Sequence, residues 1–327
     1  MRLSGWWVRG GIACVFAAAF GTGMAADTAY PDKPVRLVVP YPPGGSLDII
    51  GRVLAQKLTS SLGQSVVVEN RSGASGAIGT QAVAKSSPDG YMLLMGSPTP
   101  ISILPNISPA IQYDASHDLA PVGLVATGPH VLVINSRTPA RDVREFVAYA
   151  RKQGRPVSFG TFLGSPQDLA GYLFARDTGL SLQRVSYRGS GPALNDLASG
   201  VIQFMVVELA AALPFVESGH VRAIGIAADK RSPVLPDLPT VAEQGLPGIE
   251  SGGWFGVFAR AGTPEPVLDK LSRSLQQAVA DPEVRARLAS VGVTAATSTR
   301  PEFAAHVARE GERWRKAVAE FGIKPSE

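Results

Sequence analysis

The residues of this chain best suited to do chemistry are glycine-rich loops that follow β-like runs, and the chemistry they suit is anion binding by backbone N–H groups. The run 35–40 passes directly into Tyr41-Pro42-Pro43-Gly44-Gly45-Ser46-Leu47-Asp48, and a helical pattern begins at about Ser46. A helix N-terminus after a stiff loop with few side chains points free N–H groups and the positive end of the helix dipole outward, so a carboxylate can bind there without an arginine. The alternative is an ordinary βα turn capped by Ser46. Similar loops recur at Gly96-Ser97-Pro98-Thr99, at Gly160-Thr161-Phe162-Leu163-Gly164-Ser165 and at Arg188-Gly189-Ser190-Gly191-Pro192. Ligands of open α/β sheets bind outside the carboxyl ends of the strands, so two facing sheets would present all four loops to one cleft. The segment Gly73-Ala74-Ser75-Gly76-Ala77-Ile78-Gly79 reads GxxGxxG rather than the dinucleotide spacing GxGxxG, which favours close packing at a helix entrance. Glu208, at a strand end, would accept hydrogen bonds from a ligand amino group. A solvent-facing or hinge-paired carboxylate is favoured for it, because a buried unpaired carboxylate costs several kcal/mol and repels an anionic ligand. For Arg188 a surface position is likewise favoured over a clamp on a second carboxylate.

The elements that must position these loops are legible as alternation. β-rich runs occur at 35–40, 66–70, 91–96, 131–135, 157–161, 184–187, 204–208, 222–227 and 256–260. Between most of them lie helical patterns such as Leu47, Ile50, Leu54, Leu58 and Leu62, with Asp48 and Arg52 four apart on another face. Asp281-Pro282 reads as a capped helix start, and the last helix presents Phe303, Val307, Trp314, Val318 and Phe321 on one side. Such alternation predicts an α/β protein with largely parallel sheets flanked by helices, in two blocks. Glycine- or proline-containing crossovers near 125–129 and 248–252 suit a hinge, with the C-terminal helices returning to the first block.

Arg2 and Arg9 precede an apolar run, 10–20, and then Gly23-Met24-Ala25-Ala26, the layout of a signal peptide cleaved after Ala25 or Ala26. The run is too short to cross a hydrocarbon core about 30 Å thick as a helix. Removal of 1–25 takes away Cys14, the sole cysteine, and with it thiolate and disulfide chemistry. Setting Arg2 and Arg9 aside leaves 29 of the 31 basic residues against 27 acidic ones, a balance of +2 that does not call for nucleic acid. The four histidines, His117, His130, His220 and His306, show no metal-ligand spacing, and no GxSxG elbow or P-loop is present. No cofactor, metal or catalytic residue is expected. An acid–base hydrolase built on a carboxylate pair remains a weaker alternative, since neutral glycine loops offer no general base. The basic run Arg309, Arg313, Arg315 and Lys316 reads as the solvated side of a helix before it reads as a docking face.

Together, the loop 41–48 with Arg52, Asn70-Arg71-Ser72-Gly73-Ala74-Ser75-Gly76, Ser87-Pro88-Asp89-Gly90-Tyr91, Tyr187-Arg188-Gly189-Ser190-Gly191-Pro192-Ala193-Leu194, Arg231-Ser232-Pro233, Leu238-Pro239-Thr240-Val241, Trp254-Phe255-Gly256 and Ala261-Gly262-Thr263-Pro264 resemble the solute receptors of tripartite tricarboxylate transporters, the Bug family. The resemblance runs from about Tyr30 to Lys324. It implies a two-domain periplasmic-binding-protein (Venus-flytrap) fold, with two mostly parallel sheets flanked by helices and two crossovers at the hinge. The expected division is a signal peptide at 1–25, a first domain from 26–127 and 251–327, and a second domain from 128–250. The implied protein is a periplasmic monomer that captures a small carboxylate-bearing solute and passes it to membrane permease subunits, or reports it to a membrane sensor. In the family, the loops matching 41–48 and 96–99 hold a ligand carboxylate, partly through water, and second-domain loops complete the cage. The expected contacts are Tyr41, Pro43, Gly44, Gly45, Ser46, Asp48, Ser97, Thr99, Thr161, Phe162, Gly164, Ser165, Gly189, Ser190 and Glu208. This chain departs from the family pattern in three places. Pro98-Thr99-Pro100-Ile101 stands where relatives commonly have Gly-Thr-His-Ala, Gly160-Thr161-Phe162-Leu163-Gly164-Ser165 where Ser-Ser-Gly-Asn-Gly-Ser is usual, and Val207-Glu208 where Asp-Asn is usual. The first two make a more apolar or aromatic solute plausible.

Overall fold

The structure, a computed structural model, describes residues 30–321 apart from Leu163, Gly248 and Glu250, together with Met1. The signal-peptide segment thus lies outside the described residues, as does the side chain of Phe321. Three parallel strands open the chain, β1 (Val35–Val39), β2 (Val66–Asn70) and β3 (Met92–Gly96), linked by α1 (Ser46–Leu62) and α2 (Ala77–Ala84). After a π-helical turn at Thr99–Ile103 and two short helices, α3 (Leu104–Ile107) and α4 (Ala115–Asp118), comes β4 (Leu119–Asn135), a strand of 17 residues. A second block follows, with α5 (Val143–Gln153), β5 (Val157–Thr161), α6 (Pro166–Thr178), β6 (Leu182–Ser186), α7 (Ser190–Ser199), β7 (Phe204–Glu208), α8 (Leu209–Glu217) and β8 (Val221–Ala227). The chain returns through β9 (Gly252–Arg260), α9 (Glu265–Ala280), α10 (Pro282–Ser290), β10 (Thr294–Ala295) and α11 (Arg300–Phe321).

The strands run β2-β1-β3-β9-β4-β7-β5-β6, with β8 and β10 also on β4. The expected pair of sheets is present, and the two are joined because β4 serves both. Residues 119–129 of β4 pair antiparallel with β9, and residues 130–135 pair antiparallel with β7 and β8. The sequence reading recognised only 131–135 of this strand and only 256–260 of β9. Pro121, Gly123, Gly128 and Pro129 break the β-like pattern of the first half; register shifts at Pro121/Gly123 and Leu124/Ala126 accommodate the first two, and Gly128 and Pro129 pair in regular register with Gly253 and Gly252.

Each half has its own apolar core. In the second, Phe204 stacks with Phe174 at 4.7 Å and with Phe146 at 5.4 Å, among Val131, Val133, Leu194 and Ile226. In the first, α1 lays Ile50, Leu54 and Leu58 against β1 and receives Leu271 and Leu275 from α9. α11 adds Phe303 and Trp314 to the apolar clusters of the first half. On its outer side Arg313 pairs with Glu310, and Arg315 and Lys316 pair with Glu312, as befits a solvated face.

Gly79 explains the GxxGxxG segment. A Cβ built there would lie 2.7 Å from Arg71 O and 2.8 Å from Pro40 Cα, so α2 enters against backbone that cannot swing aside. Gly79→Ala is expected to cost about 1–3 kcal/mol by overpacking, read as a lower midpoint in thermal or urea denaturation. An unchanged midpoint would show that this approach is not tight.

Candidate functional site

The loop after β1 is held by a carboxylate. Asp48 Oδ2 accepts the Gly44 N–H at 3.1 Å and Arg52 Nε at 3.0 Å, while Oδ1 accepts Asn70 Nδ2 at 3.0 Å, and the same Asn70 amide donates to Tyr41 O. Burial pushes the Asp48 carboxyl up, but these donors outweigh it and hold it below its ordinary value. Asp48 thus braces the loop from beneath, and Pro43 and Gly44 lie exposed at its lip. Ser46 is different. It follows the helix cap, which is Gly45 with no side-chain bond, so the reading of Ser46 as the cap does not hold. Its hydroxyl is 2 % exposed as a residue and has no partner.

The second half repeats the device. Gly164-Ser165-Pro166-Gln167-Asp168 occupies the same relation to α6 that Gly44-Gly45-Ser46-Leu47-Asp48 does to α1, and Gly44 and Gly164 both adopt left-handed backbone, at φ 83° and 65°. Asp168 accepts the Gly164 N–H at 3.3 Å and Thr161 Oγ1 at 3.2 Å, and Arg184 pairs with it. Ser165 caps α6 by accepting the Asp168 N–H at 3.0 Å. Thr161, Gly164 and Ser165 therefore shape the loop. Where the first half has Leu47 the second has Gln167, which is 2 % exposed. Its Nε2 donates to Glu208 Oε1 at 2.7 Å, Ser190 Oγ donates to Glu208 Oε2 at 2.8 Å, and Gln167 Oε1 has no partner. Desolvation pushes the Glu208 carboxyl up, against the lowering effect of Ser190, its own backbone N–H and Gln167. Glu208 is half-buried, with both carboxylate oxygens hydrogen-bonded and no cation among the described residues paired with it.

These groups meet in one cavity of about 30 Å³, enough for roughly one water molecule. Tyr41, Gly45, Ser46, Ser97 and Thr99 line it from the first half, and Phe162, Gln167, Ser190 and Glu208 from the second. The halves touch across it. The Tyr41 and Phe162 ring centroids are 6.5 Å apart, and a Cβ on Gly189 would lie 2.9 Å from Pro42 Cδ, so glycine there permits the approach. Arg188 is exposed. The sequence reading did not single out Gln167, Pro98 or His130 as contacts. The internal match of 164–168 to 44–48 is the signal that would have found Gln167.

His130 forms the cavity wall at the hinge, opposite Glu208 in the β4–β7 register. Its Nδ1 is 2.6 Å from Ser251 Oγ, which donates to Pro166 O at 3.3 Å. That assignment places the ring proton on Nδ1. The residue is 1 % exposed, and burial pushes its pKa down to about 3. A larger groove of about 780 Å³ lies behind the hinge, between the loop at Ala228–Val234 and α10, away from the strand-end loops.

Two α/β lobes on a shared strand, with a cavity closed between their strand-end loops, define a two-domain periplasmic-binding protein of the Venus-flytrap class. The sequence profile of the tripartite tricarboxylate transporter family receptor matches residues 50–323. The chain is 38% identical to Protein BugT of Bordetella pertussis over 312 residues, 95% of each protein. Its fold matches a Rhodopseudomonas palustris protein solved with adipate (TM-score 0.87, 34% identity, 91% of this chain and 100% of that one) and MatC of the same species with bound malate (0.81, 32%, 88% and 100%). The chain belongs to the tripartite tricarboxylate transporter receptor family, whose members are periplasmic solute-binding proteins and not enzymes. No helix among the described residues is long and apolar enough to cross a membrane.

A buried neutral imidazole makes stability pH-dependent with a definite sign. The unfolded chain takes up a proton near the ordinary histidine value of about 6.5, whereas the folded chain refuses it until about pH 3. Between these values His130 removes up to about 1.4 kcal/mol of stability per pH unit of acidification. In NMR titration the His130 ring is expected to stay neutral at pH 5, while exposed His117, held above its ordinary value by Asp114, protonates. Protonation of both rings at pH 5 would contradict the placement of His130.

Proposed function

We propose that this protein is an extracytoplasmic receptor that closes over one small carboxylate-bearing solute, an organic acid, an amino acid or an aromatic or pyridine carboxylate, and delivers it to the membrane subunits of a tripartite transporter. The observation that carries this reading is the partnerless, buried Ser46 hydroxyl at the first turn of a 17-residue helix whose cap is a bare glycine. Free N–H groups, the helix dipole and this hydroxyl converge where a carboxylate would sit. The carboxylates in the adipate and malate complexes of relatives support the same chemistry. The lobes 26–127 with 251–327, and 128–250, are proposed to move as bodies about Gly128 and Pro129. The N-terminal segment, with Arg2 and Arg9 ahead of an apolar run, is proposed to direct the chain to the periplasm and to be cleaved near Ala25 or Ala26, leaving a monomer.

The test is a thermal-shift panel of amino acids, dicarboxylates, tricarboxylates and aromatic acids on the purified protein. A cognate solute at about a hundred times its Kd adds about 2.7 kcal/mol, a shift of several degrees. Ser46→Ala is expected to weaken that solute at least about tenfold, the scale of one hydrogen bond to a charged group. No shift from any carboxylate, or chemical conversion of the solute by mass spectrometry, would overturn the reading.

A further inference from the structure

The cavity is polarised, and the polarity names a narrower class of solute. We infer that the second lobe selects carboxylates carrying a hydrogen-donating nitrogen, as an ammonium or a primary amide, and turns away dianionic dicarboxylates. The inference rests on the receptor reading above and adds to it the identity of the second pole.

Among the described residues, no lysine or arginine lines the cavity. The cations nearest in sequence to its loops are committed elsewhere or turned away. Arg52 is bound to Asp48, Arg184 to Asp168, and Arg188 is exposed. His130, the one imidazole in the wall, is buried and neutral, and the proton on its Nδ1 leaves Nε2 as an acceptor. The ionisable acid of the wall is Glu208, whose two oxygens offer about four acceptor positions. Ser190 and Gln167 fill two of them. Gln167 adds a second acceptor, its partnerless Oε1, on a side chain 2 % exposed. The second lobe therefore presents carboxylate, amide and imidazole acceptors, while the first presents the helix N-terminus and the Ser46 hydroxyl. A solute with a carboxylate at Ser46 and N–H groups at Glu208 balances the charge and satisfies both orphaned atoms. A dicarboxylate would bring its second negative charge to Glu208 with no cation among the described lining residues to offset it, so like charges would repel. Gln167 also distinguishes the two lobes, because Leu47 holds the matching place on α1 and offers no acceptor.

The experiment is isothermal titration of the full mature protein with matched sets of three to six carbons, each set a dicarboxylate, its monoamide and the ω-amino acid, with the common α-amino acids alongside. At neutral pH at least one N–H-bearing carboxylate is expected to bind ten times or more tighter than every dicarboxylate. Glu208→Gln is expected to reduce that preference at least about tenfold, chiefly by loss of the ammonium ligands and gain of the dicarboxylates. Gln167→Leu, which imitates the first lobe, is expected to weaken the amide ligands while the wild-type ranking serves as the reference. Should either variant fail to fold, the wild-type ranking alone decides. Dicarboxylates binding as tightly as their amide and amino partners, or Glu208→Gln weakening both groups equally, would overturn this inference and leave the receptor reading standing. Binding of no carboxylate in any set would overturn both.

Discussion

The architecture depends on a single continuous strand. β4 belongs to both halves of the sheet, pairing with β9 through residue 129 and with β7 and β8 from residue 130. Strands twist about their own axes, so one continuous strand can carry both halves at an angle with their strand ends facing one another. Gly128 and Pro129 fall where the partners change. The return crossover lies beside them, tied down by the His130 N–H to Ser251 O at 3.1 Å and by the Ser251 N–H to Ala227 O at 2.8 Å. The hinge is thus a place where a sheet exchanges neighbours, not a gap in secondary structure.

On this frame, the two halves solve the same local problem alike. A glycine loop must be mobile enough in conformation to bring N–H groups forward, yet fixed enough to recognise anything. In each half an aspartate in the first helical turn reaches back to the glycine N–H four residues earlier and is itself held by an arginine. These carboxylates act on the loops and leave the Ser46 hydroxyl and the Gln167 Oε1 without partners. Rigid support of this kind is what keeps a recognition site in register. The halves then diverge at the residues that face the cavity, with a hydroxyl on one side and an amide and a carboxylate on the other.

Much of this was legible in the amino-acid order, and the exceptions have causes. β2, β5 and β7 appear at the residues expected because β-branched and apolar runs there end at polar or glycine-rich turns. The first half of β4 was hidden because its prolines and glycines carry the local signal of a loop, and only pairing with β9 makes them a strand. Tyr41, Gly45, Ser46, Ser97, Thr99, Phe162, Ser190 and Glu208 stood out in the sequence because they lie on loops or ends of strands, and these residues line the cavity. Asp48, Thr161 and Ser165 belong to the same loops, but their side chains turn inward, Asp48 and Ser165 to backbone N–H groups and Thr161 to the Asp168 carboxylate, a distinction that spacing does not carry. His130 lay inside a strand with no metal-like partner in sequence, and its role arises from the fold bringing Ser251 against it across 121 residues.

The position of β9 in the sheet has a consequence for how the molecule comes into being. β9 lies between β3 and β4 and pairs with both, yet it follows them by well over a hundred residues. As the chain emerges from its N-terminus, every strand of the second lobe is available once residue 227 has appeared. The first lobe still lacks a central strand at that point, leaving the inner edge of β3 without its partner, and exposed strand edges invite wrong pairing. Contacts of such sequence separation also form slowly. The lobe that begins the chain is therefore the later one to complete, and it completes by closing around a neighbour already formed.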